Sequence, residues 1–206
     1  AGNAGVSFHN VELTYKGAGG PSLSGISFEI KAGETVGIIG GTGSGKSSLV
    51  SLIPRFYDVT GGRVSVGGLD VRDLDLEALR SRVGVVPQKA VLFTGTLRDN
   101  LLWGNEDATD NDLWQALETT QASEFVSAKP KGLDEPVEQG GRNFSGGQRQ
   151  RLTIARALVR KPDILILDDS ASALDFATDM KLRQAISRLQ NKTTILIVSQ
   201  RASSIQ

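Results

Sequence analysis

A glycine-rich segment at residues 40–47, reading GGTGSGKS, constrains this chain more than any other feature. It fits the pattern G-x-x-x-x-G-K-[ST] completely, with an apolar run before it and a helix-like run after it. Glycines let the backbone turn sharply, so that successive N–H groups can point at phosphate oxygens. The N-terminus of the following helix adds partial positive charge. The segment therefore predicts a strand–loop–helix unit that holds a nucleoside triphosphate.

The side chains of this loop have separate predicted roles. Lys46 can reach the β- and γ-phosphates, and the Ser47 hydroxyl can ligate Mg²⁺. A loop that merely turns the chain is the alternative, and the complete pattern with its flanks argues against it. The residues predicted to contact the nucleotide are Gly40, Gly41, Thr42, Gly43, Ser44, Gly45, Lys46, Ser47 and Ser48. Kinases, GTPases and motors share this loop, so the loop alone does not distinguish among them.

A second apolar run, Ile164–Asp168, ends in a carboxylate. An Asp at that position can hold the Mg²⁺ shell opposite Ser47. Alone, such a run usually marks only a strand that reaches the surface. Together with the glycine-rich loop, it predicts Asp168 as a metal ligand.

Strand-like runs alternate with helix-like runs along the chain, which favours an α/β architecture with a largely parallel sheet. Strands are predicted at residues 6–15, 26–30, 35–39, 63–66, 83–86, 164–168 and 193–198. The short apolar run at 35–39 is typical of a strand buried on both faces. Helices are predicted after the glycine-rich loop, at 76–82 with Asp75 as the N-cap, and from about 176 to 189. Residues 90–159 are mostly helical in pattern, which predicts a helical insert in the α/β core.

The composition and the lengths of the apolar runs argue against several classes of protein. Lys and Arg number 23 and Asp and Glu number 23, which argues against a dedicated nucleic-acid binder. The lack of cysteine excludes a disulfide framework and a thiolate metal site. The longest apolar runs, 164–167 and 195–198, are too short to span a bilayer, and no signal peptide is visible. We expect the chain to be a fragment from which a membrane domain is absent, and the single histidine, His9, to lie at the surface.

Residues 143–151, NFSGGQRQR, precede a long helical stretch. Here the chain resembles the ATP-binding domain of ABC transporters, whose signature reads L-S-G-G-Q, with Phe144 in place of the leucine. Ser145 can cap a helix, and the two glycines permit a close backbone approach. The resemblance implies that Ser145, Gly146, Gly147 and Gln148 grip the γ-phosphate of an ATP presented by another subunit. An ordinary serine cap is the alternative.

The resemblance covers essentially the whole chain and implies further roles. It implies a P-loop NTPase (RecA-like) α/β core at residues 1–88 and 161–206 with an N-terminal antiparallel β subdomain, and a helical signature subdomain at 89–160. Tyr15 is expected to stack on adenine, although a core tyrosine is the competing interpretation. Gln88 matches the glutamine that touches Mg²⁺ or water and senses the membrane domain. Residues 172–175, SALD, match a loop that crosses the dimer interface.

Two further stretches resemble the exporter branch of the family, which includes multidrug and lipid exporters. Residues 92–100, LFTGTLRDN, resemble the stretch that follows Gln88 in exporters. Residues 137–141, VEQGG, stand where exporters carry a loop that contacts the coupling helices of the membrane domain. Exporters often have glutamate where Gln139 stands, so that contact is expected to be altered.

The chain departs from the family at two catalytic positions. Asp169 stands where a glutamate is expected and Gln200 where a histidine is expected. Asp169 is one methylene shorter, and a misplacement of about 1 Å can cost on the order of 10²-fold in rate. Gln200 can donate a hydrogen bond but carries no imidazolium. The predicted catalytic set consists of Asp169, Gln200, Lys46 and Gln88. The replacements at Asp169 and Gln200 resemble those in the degenerate-site subunit of a heterodimeric exporter.

The resemblance therefore implies a nucleotide-binding domain that binds ATP and Mg²⁺ and hydrolyses ATP weakly in isolation. It would pair head to tail with a second such domain on a different chain and contact a transmembrane domain through coupling helices, at the cytoplasmic face of the cell membrane. No nucleic-acid partner is expected. Two alternatives stay open: a soluble ABC-type ATPase that acts on nucleic acid or ribosomes, and a nucleotide sensor without a transport role.

Overall fold

The computed structural model describes residues 5–40, 45–87, 89–168, 180–189 and 191–199 of the 206-residue chain. The described residues belong to two units, one formed within 5–85, 162–168 and 191–199, and one formed within 86–161 and 180–189. The strands are β1 (Val6–Leu13), β2 (Leu23–Ile30), β3 (Thr35–Ile39), β4 (Gly61–Val66), β5 (Leu69–Asp70), β6 (Val83–Val86), β7 (Gly95–Thr96), β8 (Pro136–Val137), β9 (Ile164–Asp168) and β10 (Thr194–Ser199). The helices are α1 (Lys46–Ser51), α2 (Leu76–Arg82), α3 (Leu97–Leu102), α4 (Asp110–Thr119), α5 (Ser123–Ser127), α6 (Gly146–Leu158) and α7 (Met180–Leu189).

An antiparallel sheet in the order β2-β1-β4-β5 forms one part of the first unit. Along β1 the buried side chains are those of Val6, Phe8, Val11 and Leu13, interrupted by a register shift after His9. This spacing lets one face of the sheet pack on a core while the other face meets solvent. His9 is exposed, as the sequence predicted.

Gly62 lies opposite the irregular part of β1, and this position tolerates no side chain. Its φ is +70°, and a Cβ there would lie 2.3 Å from the carbonyl oxygens of His9 and Asn10. Both neighbours are backbone atoms, which cannot move aside as the end of a flexible side chain could. The close approach of β4 to β1 therefore depends on glycine at this position.

We expect Gly62→Ala to lower the free energy of unfolding by roughly 3 kcal/mol, since left-handed strain and overpacking add. Gly68→Ala is the matched control, because Gly68 has a φ of +83° but open space around it. The control should lose only the strain, about 1–2 kcal/mol. Urea unfolding of both variants measures the difference. Equal losses would mean that β1 and β4 do not approach as closely as described.

A second sheet of the first unit has the order β3-β10-β9-β6, with β10 parallel to both β3 and β9. The central strands β9 and β10 are almost entirely buried, as continuous apolar runs require. The prediction that β3 is buried on both faces is wrong. Its residues alternate between exposed and half-buried, because β3 is an edge strand of the sheet and only Val36 and Ile38 pack on the core.

The second unit is mainly helical, as the pattern of residues 90–159 predicted. Its buried core draws leucines from α3, α4 and α6, among them Leu101, Leu117 and Leu152. Among the helix starts that the structure describes, three have capping boxes, formed by Thr96, Thr109 and Ser145. Strands β7 and β8 were not predicted from the sequence, because they pair over only two residues each and are too short to show a period. None of the helices among the described residues has the length and apolar character that crossing a membrane requires.

Candidate functional site

The structure describes the two ends of the glycine-rich loop. Gly40 follows β3, and its N–H donates to the carbonyl of Ser199 at the end of β10, with an N···O distance of 3.3 Å. Gly45 has a φ of +86°, and a Cβ there would lie 3.0 Å from Leu23 Cδ2 and 3.1 Å from the Ser22 carbonyl oxygen. Glycine at this position therefore lets the chain turn into α1 directly beside β2. The loop residues Gly41, Thr42, Gly43 and Ser44 lie outside the described residues.

Lys46 is the first residue of α1 and is only 8% exposed. Its Nζ donates to the carbonyl oxygen of Gly40, so the amine bridges the two ends of the loop. A buried ammonium is costly unless it is hydrogen-bonded, and this contact holds it at the base of the loop. A cation at this place would neutralise phosphate charge, which is the role predicted for Lys46.

The side chains of the next two serines differ in their surroundings. Ser47 is exposed, as a residue that ligates an external ion must be. Ser48 is half-buried, and its hydroxyl shares a hydrogen bond with the Tyr15 hydroxyl, with an O···O distance of 2.6 Å. Tyr15 is also half-buried and packs against the core of the first unit. The predicted nucleotide contacts Ser48 and Tyr15 therefore touch each other, whereas the adenine-stacking role of Tyr15 stays a prediction.

The carboxyl ends of three neighbouring strands meet at one edge of the sheet. In the parallel register, Ile39 pairs with Ser199 and Val198 pairs with Asp168. Asp168 therefore ends its strand at the same edge of the sheet as the start of the loop, with β10 between them. Ligands in open α/β sheets bind outside the carboxyl ends of the strands. Several predicted site residues lie outside the described residues: Gln88, Asp169, Gln200 and the stretch 172–175.

The predicted metal site has the chemistry that Mg²⁺ requires. Ser47 and Asp168 offer a hydroxyl and a carboxylate, and Mg²⁺ usually combines one or two such oxygens with substrate phosphates. Within the part of the chain that the structure describes, no group of three or more His, Cys, Asp or Glu side chains could hold a metal by itself. In phosphate-loop sites, the phosphates of the bound nucleotide also ligate Mg²⁺.

The signature segment forms the N-terminus of α6 in the second unit. Ser145 caps this 13-residue helix: its hydroxyl accepts from the Gln148 N–H, and its own N–H donates to Gln148 Oε1 at 3.0 Å. The predicted helix cap is confirmed. Gly146 and Gly147 occupy the first turn and are half-exposed, so their N–H groups can face an anion. The cap and the glycines together make this end of the helix suitable for a phosphate.

Phe144, the first residue of the signature, packs in the core of the second unit. The sequence did not indicate which residues it contacts. The ring is buried, with the Lys129 Nζ 5.0 Å from its centroid and the Phe125 ring 6.3 Å away. The Phe144 carbonyl accepts a hydrogen bond from Arg149 Nη1 at 2.9 Å. The replacement of leucine by Phe144 is therefore accommodated, with its ring packed in the core and its backbone held by α6.

Two aromatic side chains in and just after the exporter-like stretch at 92–100 are exposed to solvent. Phe93 is 45% exposed and Trp103 is 74% exposed, and their ring centroids are 5.3 Å apart. The buried Asn100 holds the stretch by bonding both the N–H and the carbonyl of Phe93. Arg156 lies over the Phe93 ring, and burial lowers the pKa of its guanidinium. We call Phe93 and Trp103 the exposed aromatic pair; Trp103 was not identified from the sequence.

Known proteins resemble this chain over nearly its full length. Residues 23–172 match the model of the ABC transporter family. An uncharacterized ABC transporter ATP-binding protein of Mycobacterium bovis is 49% identical over 93% of this chain and 33% of its own length. An ATP-dependent lipid A-core flippase of Albidiferax ferrireducens is 42% identical over 98% of this chain and 35% of its own length. The chain thus spans about a third of the length of these curated relatives.

A solved structure extends this likeness to the fold. A bacterial Atm1-family ABC exporter with ATP bound superposes with a TM-score of 0.87 at 35% sequence identity, covering 98% of this chain and 36% of that one. The expected P-loop NTPase fold, with a parallel sheet and a separate antiparallel sheet, is confirmed. The exporter branch that the sequence resembled is confirmed as well.

Proposed function

This chain belongs to the ABC transporter family, whose ATP-binding domains hydrolyse ATP to drive transport, and we propose that it is the nucleotide-binding domain of an exporter. The proposal rests on the presence of two candidate phosphate-binding segments in one chain. One is the loop closed by Lys46 at the carboxyl edge of the sheet, and the other is the α6 N-terminus capped by Ser145. In a head-to-tail pair, each ATP would lie between the loop of one domain and the signature of the other, so each domain needs both.

Each of the two segments has a role in the proposed mechanism. The loop and Lys46 bind the triphosphate, and Ser47 with Asp168 holds Mg²⁺, which neutralises charge on the phosphates. The signature lies at a helix N-terminus and binds the γ-phosphate of an ATP held by a second nucleotide-binding domain. Two domains would then close head to tail around ATP, and hydrolysis would separate them.

The chain's own ATP site is proposed to be slow. Asp169 and Gln200 replace a longer carboxylate and a histidine, so positioning of water and charge stabilisation both weaken. Lys46 and the signature are unaffected by these replacements. The chain would therefore still bind ATP, and its signature would still contact the ATP of a partner domain. We propose that the partner is a different chain that keeps glutamate and histidine.

A membrane domain is the second proposed partner. Phe93 of the exposed aromatic pair lies in the exporter-like stretch at 92–100, and Trp103 follows that stretch directly after α3. Large aromatic side chains at the surface are typical of protein interfaces. In this arrangement, closure of the two domains is carried through the Gln88 region to coupling helices. The chain would then work at the cytoplasmic face of the cell membrane, as part of an integral membrane transporter.

The test of this function measures Mg²⁺-dependent ATP binding and turnover, first with the chain alone and then mixed with a candidate partner domain. Tight binding, slow turnover alone and a sharp rise on mixing are expected. Turnover stimulated by DNA or ribosomes would favour the soluble ATPase instead. Binding without any turnover or stimulation would favour a nucleotide sensor, an alternative that Asp169 and Gln200 support.

Ser145→Ala in this chain is expected to abolish the rise in turnover on mixing, because the partner's ATP loses its signature contact. The change also removes a helix cap, which costs about 1 kcal/mol of stability. Ser145→Gly separates the two effects, since glycine at a cap costs only a few tenths of a kcal/mol. Thermal unfolding and turnover are measured on both variants. Full stimulation by Ser145→Gly would show that the hydroxyl does not serve the partner's ATP.

A further inference from the structure

Two tyrosines from distant parts of the sequence meet in the first unit. Tyr15 follows β1, and Tyr57 lies in the turn at residues 54–58 beyond α1. Their ring centroids are 5.0 Å apart and the ring planes are inclined at 83°. Aromatic pairs favour this edge-to-face geometry because the positive edge of one ring meets the negative face of the other. The contact therefore restricts the orientation of the Tyr15 ring.

The Tyr15 hydroxyl is held as well. Its partner at 2.6 Å is the hydroxyl of Ser48, which lies two residues after Lys46 in α1. The phenol is thus connected to the helix that begins at the glycine-rich loop. With Tyr57 at its ring and Ser48 at its hydroxyl, Tyr15 is positioned from two directions.

The turn that carries Tyr57 is fixed by Arg80 of α2. Arg80 Nε donates to the Pro54 carbonyl at 3.1 Å, and Nη2 donates to the Arg55 carbonyl at 3.0 Å. The same guanidinium lies 5.3 Å from the centroid of the Phe56 ring. One side chain therefore holds the backbone and the ring that immediately precede Tyr57.

An ion pair closes the same turn around Tyr57. Arg55 donates to both carboxylate oxygens of Asp58, at 2.6 Å and 3.2 Å, and this hydrogen bonding lowers the pKa of the Asp58 carboxyl. Arg55 has a φ of 59°, a conformation that persists in a non-glycine residue only where its surroundings hold it. Yet the Tyr57 residue is 50% exposed, so the core does not require its ring. A side chain that extends from a turn held in this way, without being buried itself, is suited to positioning a neighbour.

We propose that Tyr57 is a positioning residue that orients Tyr15 for stacking on the base of ATP and so strengthens nucleotide binding. The inference rests on the proposed function, in which Tyr15 stacks on adenine. Tyr57 does not touch the nucleotide in this arrangement. It limits the orientations of the Tyr15 ring before ATP arrives, so that less ordering is needed on binding.

The test compares the binding of Mg-ATP and of Mg-tripolyphosphate, which lacks a base, by calorimetry on the whole chain. Tyr57→Ala is expected to weaken ATP binding about 2- to 10-fold and to leave tripolyphosphate binding unchanged. Tyr57→Phe is the matched control and should bind ATP as the wild type does, since the ring contact needs no hydroxyl. In a Tyr15→Ala background, Tyr57→Ala should cause no further loss, because Tyr57 acts through Tyr15.

The outcomes separate the inference from the function on which it rests. If the wild type and Tyr57→Ala bind ATP equally well, the inference is wrong and the proposed function is unaffected. Additive losses from Tyr15→Ala and Tyr57→Ala, or a loss of tripolyphosphate binding in Tyr57→Ala, also overturn it. A wild-type chain that binds no ATP overturns the proposed function and the inference together. Thermal unfolding of each variant verifies that the half-exposed position leaves the fold intact.

Discussion

Lys46→Ala is expected to weaken Mg-ATP binding by roughly 10- to 100-fold, the largest loss that we expect from a single substitution. The estimate follows from removing hydrogen bonds between an ammonium and charged phosphates, at about 1.5–3 kcal/mol. The Lys46 amine is buried at the base of the loop and donates to the Gly40 carbonyl, which holds its charge where the phosphates are predicted to bind. Calorimetric titration of the chain with Mg-ATP measures the loss.

The matched control for this substitution is Lys192→Ala, which removes an exposed lysine from the same unit. It should leave ATP affinity unchanged, so a loss in both variants would indicate only general charge attraction. Circular dichroism verifies that Lys46→Ala keeps the fold, since the variant also loses the bond across the loop. Undiminished ATP binding by a folded Lys46→Ala chain would place the nucleotide elsewhere.

The double substitution Asp169→Glu with Gln200→His is expected to raise the turnover of this chain by on the order of 10²-fold. Glutamate would return the base to the attacking water, and histidine would restore a group that can carry positive charge. Because neither residue belongs to the glycine-rich loop, ATP affinity should change little. Steady-state phosphate release measures the turnover, and calorimetry measures the affinity.

Asp169→Asn is the control for the double substitution, since it keeps the short side chain and removes the charge. It should give no gain and lower any residual turnover. Fast turnover in the unmodified chain would mean that Asp169 and Gln200 are adequate catalysts, and a symmetric pump would then be possible. No gain in the double variant would locate the cause of slow turnover outside these two positions.

Much of the secondary structure followed from the sequence because its causes are local. Asp75 begins α2 and Ser145 begins α6, each through a side chain that bonds an N–H within the first turn. The runs at 83–86 and 164–168 were predicted as strands with the observed bounds. The burial of β3 was not predictable, because whether an apolar strand lies at the centre or the edge of a sheet depends on its neighbours.

In the candidate site, too, some features were predicted from the sequence and others became visible only in the tertiary structure. The sequence alone predicted the glycine-rich loop, Asp168 as a metal ligand and the signature, because each of them is recognised from consecutive residues. Only the tertiary structure showed Tyr57 against Tyr15, Arg80 on the turn at 54–58, and Lys129 over Phe144. These residues are 42, 26 and 15 positions apart in the chain, counting to Pro54 for Arg80. Contacts at such separations are set by strand order and helix packing, which bring together side chains that no local pattern relates.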